Sequence, residues 1–476
     1  MAAAGVLHAR MQLRPAAVAL VVLCGCGGGE ALMARPSPPP ASLVIRHVRI
    51  FDAPRASLAA GPVDVLVEGG RIARIAETGI ETGQAREIDG SGGVLLPGLV
   101  DVHTHTASSS NPPGATGLLP DVEGNLAAFL YAGVTTVLDL GNLTPAVFAE
   151  RDAVASGSML GPRVYAAGPV FTASGGHPAN VLRAWLPWYL GWYVLPRATR
   201  EVDDAAAARR AVAELAPQHP EILKITIDAE ARGVVPCLSL ETMRAIVTAG
   251  HEAGVRSIAH VGSSAEAGLA VEAGVDALAH SPWRDELTDQ VISAIAARHV
   301  PVIATLAGWD IAGSPRKSRG DFLPIEREVA SAELIDRLLT TAPLRDEDSV
   351  AFVAAAGAAH EARRRNVARL RAAGITVLAG SDSLNPGIIA GAGLHLELAK
   401  LVDAGMTPAE ALRSATWDNA RFLAGETPEF GEIAVGRRAD LVLVAGDPTA
   451  NIADLGRIQQ VILGGVPLAR APRRAD

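Results

Sequence analysis

The chain has 476 residues, of which 49% are hydrophobic and 20% charged, and a formal net charge of -9 at pH 7. That is apolar material for one large folded body or two unequal ones. The charged residues are interspersed, without the clustered excess of Lys and Arg that neutralising phosphates requires, which argues against nucleic acid as the main partner.

Arg10 and Arg14 precede an apolar run from Ala16 to Leu23, closed by the small residues Cys24, Gly25 and Cys26, a secretory signal pattern. The run is well short of the ~20 residues that span a bilayer, so residues 1–25 read as a cleaved signal peptide. Leu23-Cys24-Gly25-Cys26 also resembles the cleavage box of bacterial lipoproteins, which would leave Cys26 as an acylated N-terminus. The alternative is an ordinary signal peptide cut nearby. Both export the protein, to the periplasm or cell envelope, and the lipid anchor is then its membrane contact. With Cys26 acylated, Cys237 stands alone and no disulfide framework forms. Residues 26–42, with Pro36 and Pro38 to Pro40, read as a tether.

Three strand-like runs follow, Leu43 to Phe51, Val63 to Val67 and Val94 to Leu96, too few to bury themselves. The C-terminus offers matching runs in Ala439 to Val444 and Gln460 to Leu463. Residues 43–97 and 426–476 are therefore expected to form one small β-sandwich domain built from both chain ends. Between them, over 98–425, apolar strand runs alternate with amphipathic helical stretches. The eight strand runs are Leu99 to His103, Thr135 to Leu140, Arg163 to Ala167, Leu223 to Ile227, Arg256 to His260, Asp276 to His280, Val302 to Thr305 and Thr376 to Gly380. Helices are expected over Asp203 to Leu215, Ser239 to Ala253 and Ala265 to Ala273. Eight βα units over ~300 residues make the expected fold class α/β, a (β/α)8 TIM barrel. No P-loop or strand-linked dinucleotide fingerprint is present, so nucleotide chemistry is set aside.

The polar residues at the strand ends carry the chemistry. His103 and His105 end strand one, two residues apart and so on one face. Lys224 lies in strand four, His260 ends strand five, His280 ends strand six and Asp382 follows strand eight. Taken singly each is an ordinary hydrogen-bonded or salt-bridged residue. Together they lie where a barrel places its catalytic groups, and imidazole with carboxylate suits Zn2+ or a similar divalent ion.

Pro97 to His105 (P-G-L-V-D-V-H-T-H), Leu223 to Ile225 (L-K-I), Ile258 to His260 (I-A-H), Ala273 to His280 (A-G-V-D-A-L-A-H), Ala379 to Asp382 (A-G-S-D) and the tail from Gly431 to Val444 resemble the amidohydrolase superfamily. The likeness is to its imidazolonepropionase-like and prolidase-like members, and covers nearly everything after the tether. It implies a metal-dependent hydrolase with two divalent ions, Zn2+ in the first instance. His103, His105 and Asp382 would hold one ion, His260 and His280 the other, and a carboxylated Lys224 would bridge them, since a bare ammonium has donors only. Asp382 would take the proton from metal-activated water and pass it to the leaving nitrogen.

His177, in the Gly-Gly loop after strand three, resembles a loop that approaches substrate in this subgroup. One departure is Gly262, where many dipeptidase-like members carry a second histidine. Trp185, Trp188, Tyr189, Trp192 and Tyr193 cluster in a chain that is only 4% aromatic. Trp188 and Trp192 are read as substrate-binding residues of a lid, with packing, a membrane or a second subunit as the alternatives. The expected activity is hydrolysis of an amide or peptide bond in a small molecule, such as a dipeptide or an N-acyl amino acid. The alternatives are a cyclic amide or lactone hydrolase on the same site, and an exported binding protein on a disabled barrel, against which the full ligand set argues. Oligomeric state leaves no signature in the sequence.

Overall fold

A computed structural model describes residues 32–77, 79–81, 83–112, 120–341 and 346–473. The expected signal peptide and Cys26 lie outside the described residues.

Apolar alternation builds the first sheet. In Ser42–Asp52 the side chains of Leu43, Val44, Ile45, Val48 and Phe51 are buried. This strand pairs antiparallel with Val63–Glu68 and parallel with Gly93–Pro97, where Ile50 lies opposite Leu95. Gly93–Pro97 then pairs antiparallel with Leu441–Ala445, which pairs with Ile458–Leu463. The two chain ends thus meet in one mixed sheet, and its core draws on Leu43, Ile45, Val65 and Leu95 from one end and Leu441 and Ile462 from the other. Two of its strands, Arg71–Ala76 and Arg86–Asp89, are rich in exposed polar residues and escape an apolar-run criterion.

The expected tether needs correction from Leu32 onward. Leu32 and Met33 are buried, and Met33–Ala34 pairs antiparallel with Ala469–Arg470. Two apolar side chains with a sheet edge in reach are more stable packed than hydrated.

The second layer is a curled parallel sheet flanked by helices. Its strands, numbered one to eight, are Leu99–Thr104, Val134–Asp139, Arg163–Ala166, Ile222–Thr226, Arg256–His260, Ala277–Ala279, Val302–Ile303 and Val377–Leu378. Every residue of strands one and two is buried, as befits parallel strands covered on both faces. Strand three kinks at Gly168, whose φ of +79° suits glycine, and at Pro169, which has no N–H to donate. Before the kink it pairs with strand two; beyond it, Val170–Thr172 pairs with strand four. At the opposite edge the Val102 N–H donates to Ala379 O and the Asp382 N–H to His103 O, setting strand eight beside strand one. Asn419 Nδ2 donates to both Val100 O and Ala379 O at 2.7 Å, lacing the same two strands.

The helices start where their caps dictate. Asp204, Ser239 and Ser263 accept from backbone N–H groups in the first turns of Ala205–Leu215, Leu240–Glu252 and Ser264–Ala273. Ser263 and Glu266 form a reciprocal capping box, each side chain satisfying the other's backbone donor.

Candidate metal centre

Strand one carries Val100 and Val102 into an apolar cluster with Leu138, Ile303 and Leu378, and its pairing with strand two is irregular between Asp101 and Thr104, where His103 turns toward Lys224. The buried Asp101 carboxylate accepts from the backbone N–H of His103 (3.2 Å) and Ser381 (2.9 Å) and from Ser381 Oγ (2.5 Å), tying the ends of strands one and eight together. Burial pushes its pKa up to about 7, against those hydrogen bonds. At the end of strand two, Asp139 accepts from Thr106 N (2.7 Å), Thr106 Oγ1 (2.9 Å) and Gly141 N (3.1 Å). That turn presents Gly141 O to His105 Nδ1 at 3.0 Å.

Around this frame the six residues singled out in the sequence come together. Asp382 Oδ1 lies 3.1 Å from His105 Nε2 and 3.3 Å from His103 Nε2. Lys224 Nζ lies 3.4 Å from His103 Nε2. His280 Nε2 is 2.9 Å from His260 Nδ1, and the rings of His103 and His280 are 4.8 Å apart. One ligating atom from each of His103, His280 and Asp382 falls within 4.8 Å of the others. His280, Thr305 and Asp382, at the ends of strands six, seven and eight, have φ of +77°, +50° and +59°. Left-handed backbone costs a non-glycine residue about 1–3 kcal/mol, and strain of this kind collects at functional sites.

The donor set fits a divalent cation. His105 Nδ1 faces a carbonyl and so carries a proton, while Nε2 faces the Asp382 carboxylate at 3.1 Å, where either a second proton or a cation joins the two. Burial opposes charge on the ring, but the Asp382 carboxylate holds its pKa above the ordinary value. Burial, then the charge of Lys224 and the neighbouring imidazoles, holds His103 well below the usual histidine range. Burial with His260 and Lys224 does the same to His280. Both are thereby neutral imidazoles, the ligating form. Burial works against charge on Asp382, yet its hydrogen bond to His105 keeps the carboxyl below its ordinary value. Burial brings the Lys224 amine down to about 7, although Asp382 opposes the shift.

A model of the amidohydrolase family matches residues 94–468. The chain belongs to the amidohydrolase family. An uncharacterized protein of Mycobacterium tuberculosis is 27% identical to this amidohydrolase over 381 residues, 79% of this chain and 85% of its own length. A putative prolidase from Bifidobacterium longum superposes with a TM-score of 0.70 at 25% identity, over 92% of this chain and 97% of that one. A prolidase crystallised with N-methylphosphonate-L-proline gives a TM-score of 0.72 at 24% identity, over 90% and 100% respectively. This amidohydrolase therefore has the fold of prolidase-like members and is a hydrolase of carbon–nitrogen bonds.

His177 stands beside the cluster, its ring 5.1 Å from that of His260 and its Nδ1 2.9 Å from Glu230 Oε1. Trp188 and Trp192 belong instead to the helix Trp188–Ala198, none of whose residues is buried, and are 89% and 74% exposed. Their rings meet Tyr189 and Tyr193 edge-on at 6.0 and 5.9 Å. Two residues at the amidohydrolase site escape sequence reasoning. Trp309, in the helix Leu306–Gly313 after strand seven, sets its ring 5.2 Å from His280 and stacks on Trp283 at 4.6 Å. Asp228, two residues past strand four, meets His260 at 3.0 Å. An acidic residue just beyond a strand that carries Lys224 is a signal a position-by-position reading could have used.

Proposed function

We propose that this amidohydrolase is an exported, metal-dependent enzyme that hydrolyses an amide or peptide bond of a small molecule at the mouth of a closed (β/α)8 barrel, with the mixed sheet as a β-sandwich domain. The substrates proposed are dipeptides or N-acyl amino acids. The observation that carries this reading is the convergence of His103, His105, Lys224, His260, His280 and Asp382 at the strand ends, with imidazole nitrogens, an amine and a carboxylate facing one another. Prolidases among the structures with this fold support the dipeptide class.

His103, His105 and Asp382 would hold one divalent ion and His260 and His280 a second, Zn2+ being the ion proposed. Such ions supply Lewis acidity to the scissile carbonyl and acidify water. Lys224, relieved of its proton in about half of the molecules near neutrality, is nucleophilic enough to add CO2. The amine nitrogen bonds the carbon, a proton leaves, and the resulting carbamate offers two anionic oxygens in place of three donors. Asp382, kept ionised between two imidazoles, is placed to accept a proton from the attacking water and to return it to the leaving nitrogen.

The test is a screen of dipeptides, N-acyl amino acids and lactones on the protein purified with zinc and bicarbonate. Cleavage of an amide that a chelator abolishes and zinc restores is expected. Turnover of lactones with no amide cleaved would move the assignment to ring opening, and turnover untouched by chelation would overturn the metal dependence.

A further inference from the structure

The hydrogen bonds on both nitrogens of His260 give Asp228 a task. Asp228 Oδ2 lies 3.0 Å from His260 Nε2, while His260 Nδ1 faces His280 Nε2 at 2.9 Å. An ionised carboxylate only accepts, so the network puts the His260 proton on Nε2 and leaves a lone pair on Nδ1. Across the gap, Thr305 donates its hydroxyl hydrogen to Ala304 O at 2.8 Å and accepts from His280 Nδ1 at 2.5 Å. His280 Nε2 is then a lone pair as well. Two lone pairs facing each other at 2.9 Å are an arrangement that a shared cation relieves.

Asp228 is itself firmly held. Its side chain is 2% exposed, Oδ2 also accepts from Trp283 Nε1 at 2.8 Å, Oδ1 accepts from Glu230 N at 2.8 Å, and the Arg284 guanidinium lies 3.4 Å away. The carboxylate rests against Gly262, where an added Cβ would come within 2.4 Å of Oδ1 and 2.7 Å of Cγ. Any side chain at 262 would therefore displace Asp228. The glycine that departs from the family pattern at this position acquires a steric reason.

We propose that Asp228 is a positioning residue that locks His260 in the tautomer presenting Nδ1 to a divalent ion, and that Gly262 is bare in order to admit its carboxylate. This rests on the metal reading above. Carboxylates that hold a ligating histidine typically account for about 10–100-fold in metal affinity.

The experiment compares full-length wild type, Asp228→Asn, Asp228→Ala and Gly262→Ala, all grown with zinc and bicarbonate. Metal per chain is measured after dialysis against graded chelator, and absorption spectra are taken of cobalt-substituted samples. Asp228→Ala and Gly262→Ala are expected to weaken retention of one ion about 10–100-fold and to alter the cobalt bands. Asp228→Asn keeps an acceptor oxygen and should lose less. An Asp228→Ala protein holding both ions across the same chelator range, with the wild-type cobalt spectrum, overturns the proposal. Should that variant fail to fold, Gly262→Ala decides, since unchanged retention there shows that displacing the carboxylate does not matter. A wild type that takes up no metal overturns the proposed function and this inference with it, a result distinct from weak variants of a loaded enzyme.

Discussion

At the scale of single residues, two histidines of this chain show how one side chain takes different work from different surroundings. His105 is turned by Gly141 O so that Nε2 meets Asp382, and becomes part of the site. His395, more deeply buried, donates Nε2–H to Ala132 O at 2.8 Å and does structural work. Burial brings its pKa down to about 4, although the Ala132 carbonyl pulls the other way. The unfolded chain takes up a proton near pH 6.5 and the folded chain only near 4, so stability falls as pH drops through that window, by up to about 3 kcal/mol. Denaturant unfolding at pH 7 and pH 4.5 should show His395→Gln losing less stability on acidification than the wild type. Equal losses would mean that His395 titrates normally. The residues of the candidate site were legible because His-x-His, the lone strand lysine and the Asp after strand eight are rare types in apolar runs. Trp309 and Asp228 were not, because an aromatic on a helix and an acid in a loop resemble ordinary core and surface until neighbours are known.

At the scale of elements, apolar runs found the parallel strands to within a few residues, and strand five, Arg256–His260, at both ends. Strand seven stops at Ile303 and not at Thr305, because Thr305 turns into left-handed backbone to meet His280. The kink at Gly168-Pro169 divides strand three, and the pairing of its second half depends on strand four, which lies far along the chain. The helix Trp188–Ala198 is the element whose role remains a proposal. It leaves Trp188, Tyr189 and Trp192 more than half exposed, an apolar surface that calls for an occupant. If it grips bulky apolar substrates, Trp188→Ala or Trp192→Ala should lower kcat/KM several-fold for a dipeptide with a large apolar side chain and little for a small one. Equal effects on the two substrates, in variants whose circular dichroism matches the wild type, would make the helix a packing or partner surface instead.

At the scale of the whole molecule, strands from residues 42–97 and 441–467 meet in one sheet while the stretch between them carries the candidate site. The proposed export adds a further expectation. A fatty acid analogue fed to a bacterial host should label the wild type and not Cys26→Ser, and equal labelling of both would exclude acylation at that residue. The central claim, a pair of divalent ions joined through Lys224, is tested most directly by elemental analysis of wild type and Lys224→Ala, both purified with zinc and bicarbonate. About two ions per chain are expected in the wild type and about one or fewer in the variant, with its activity largely lost. A wild type without metal, or a Lys224→Ala protein that keeps two ions and full activity, would contradict the account.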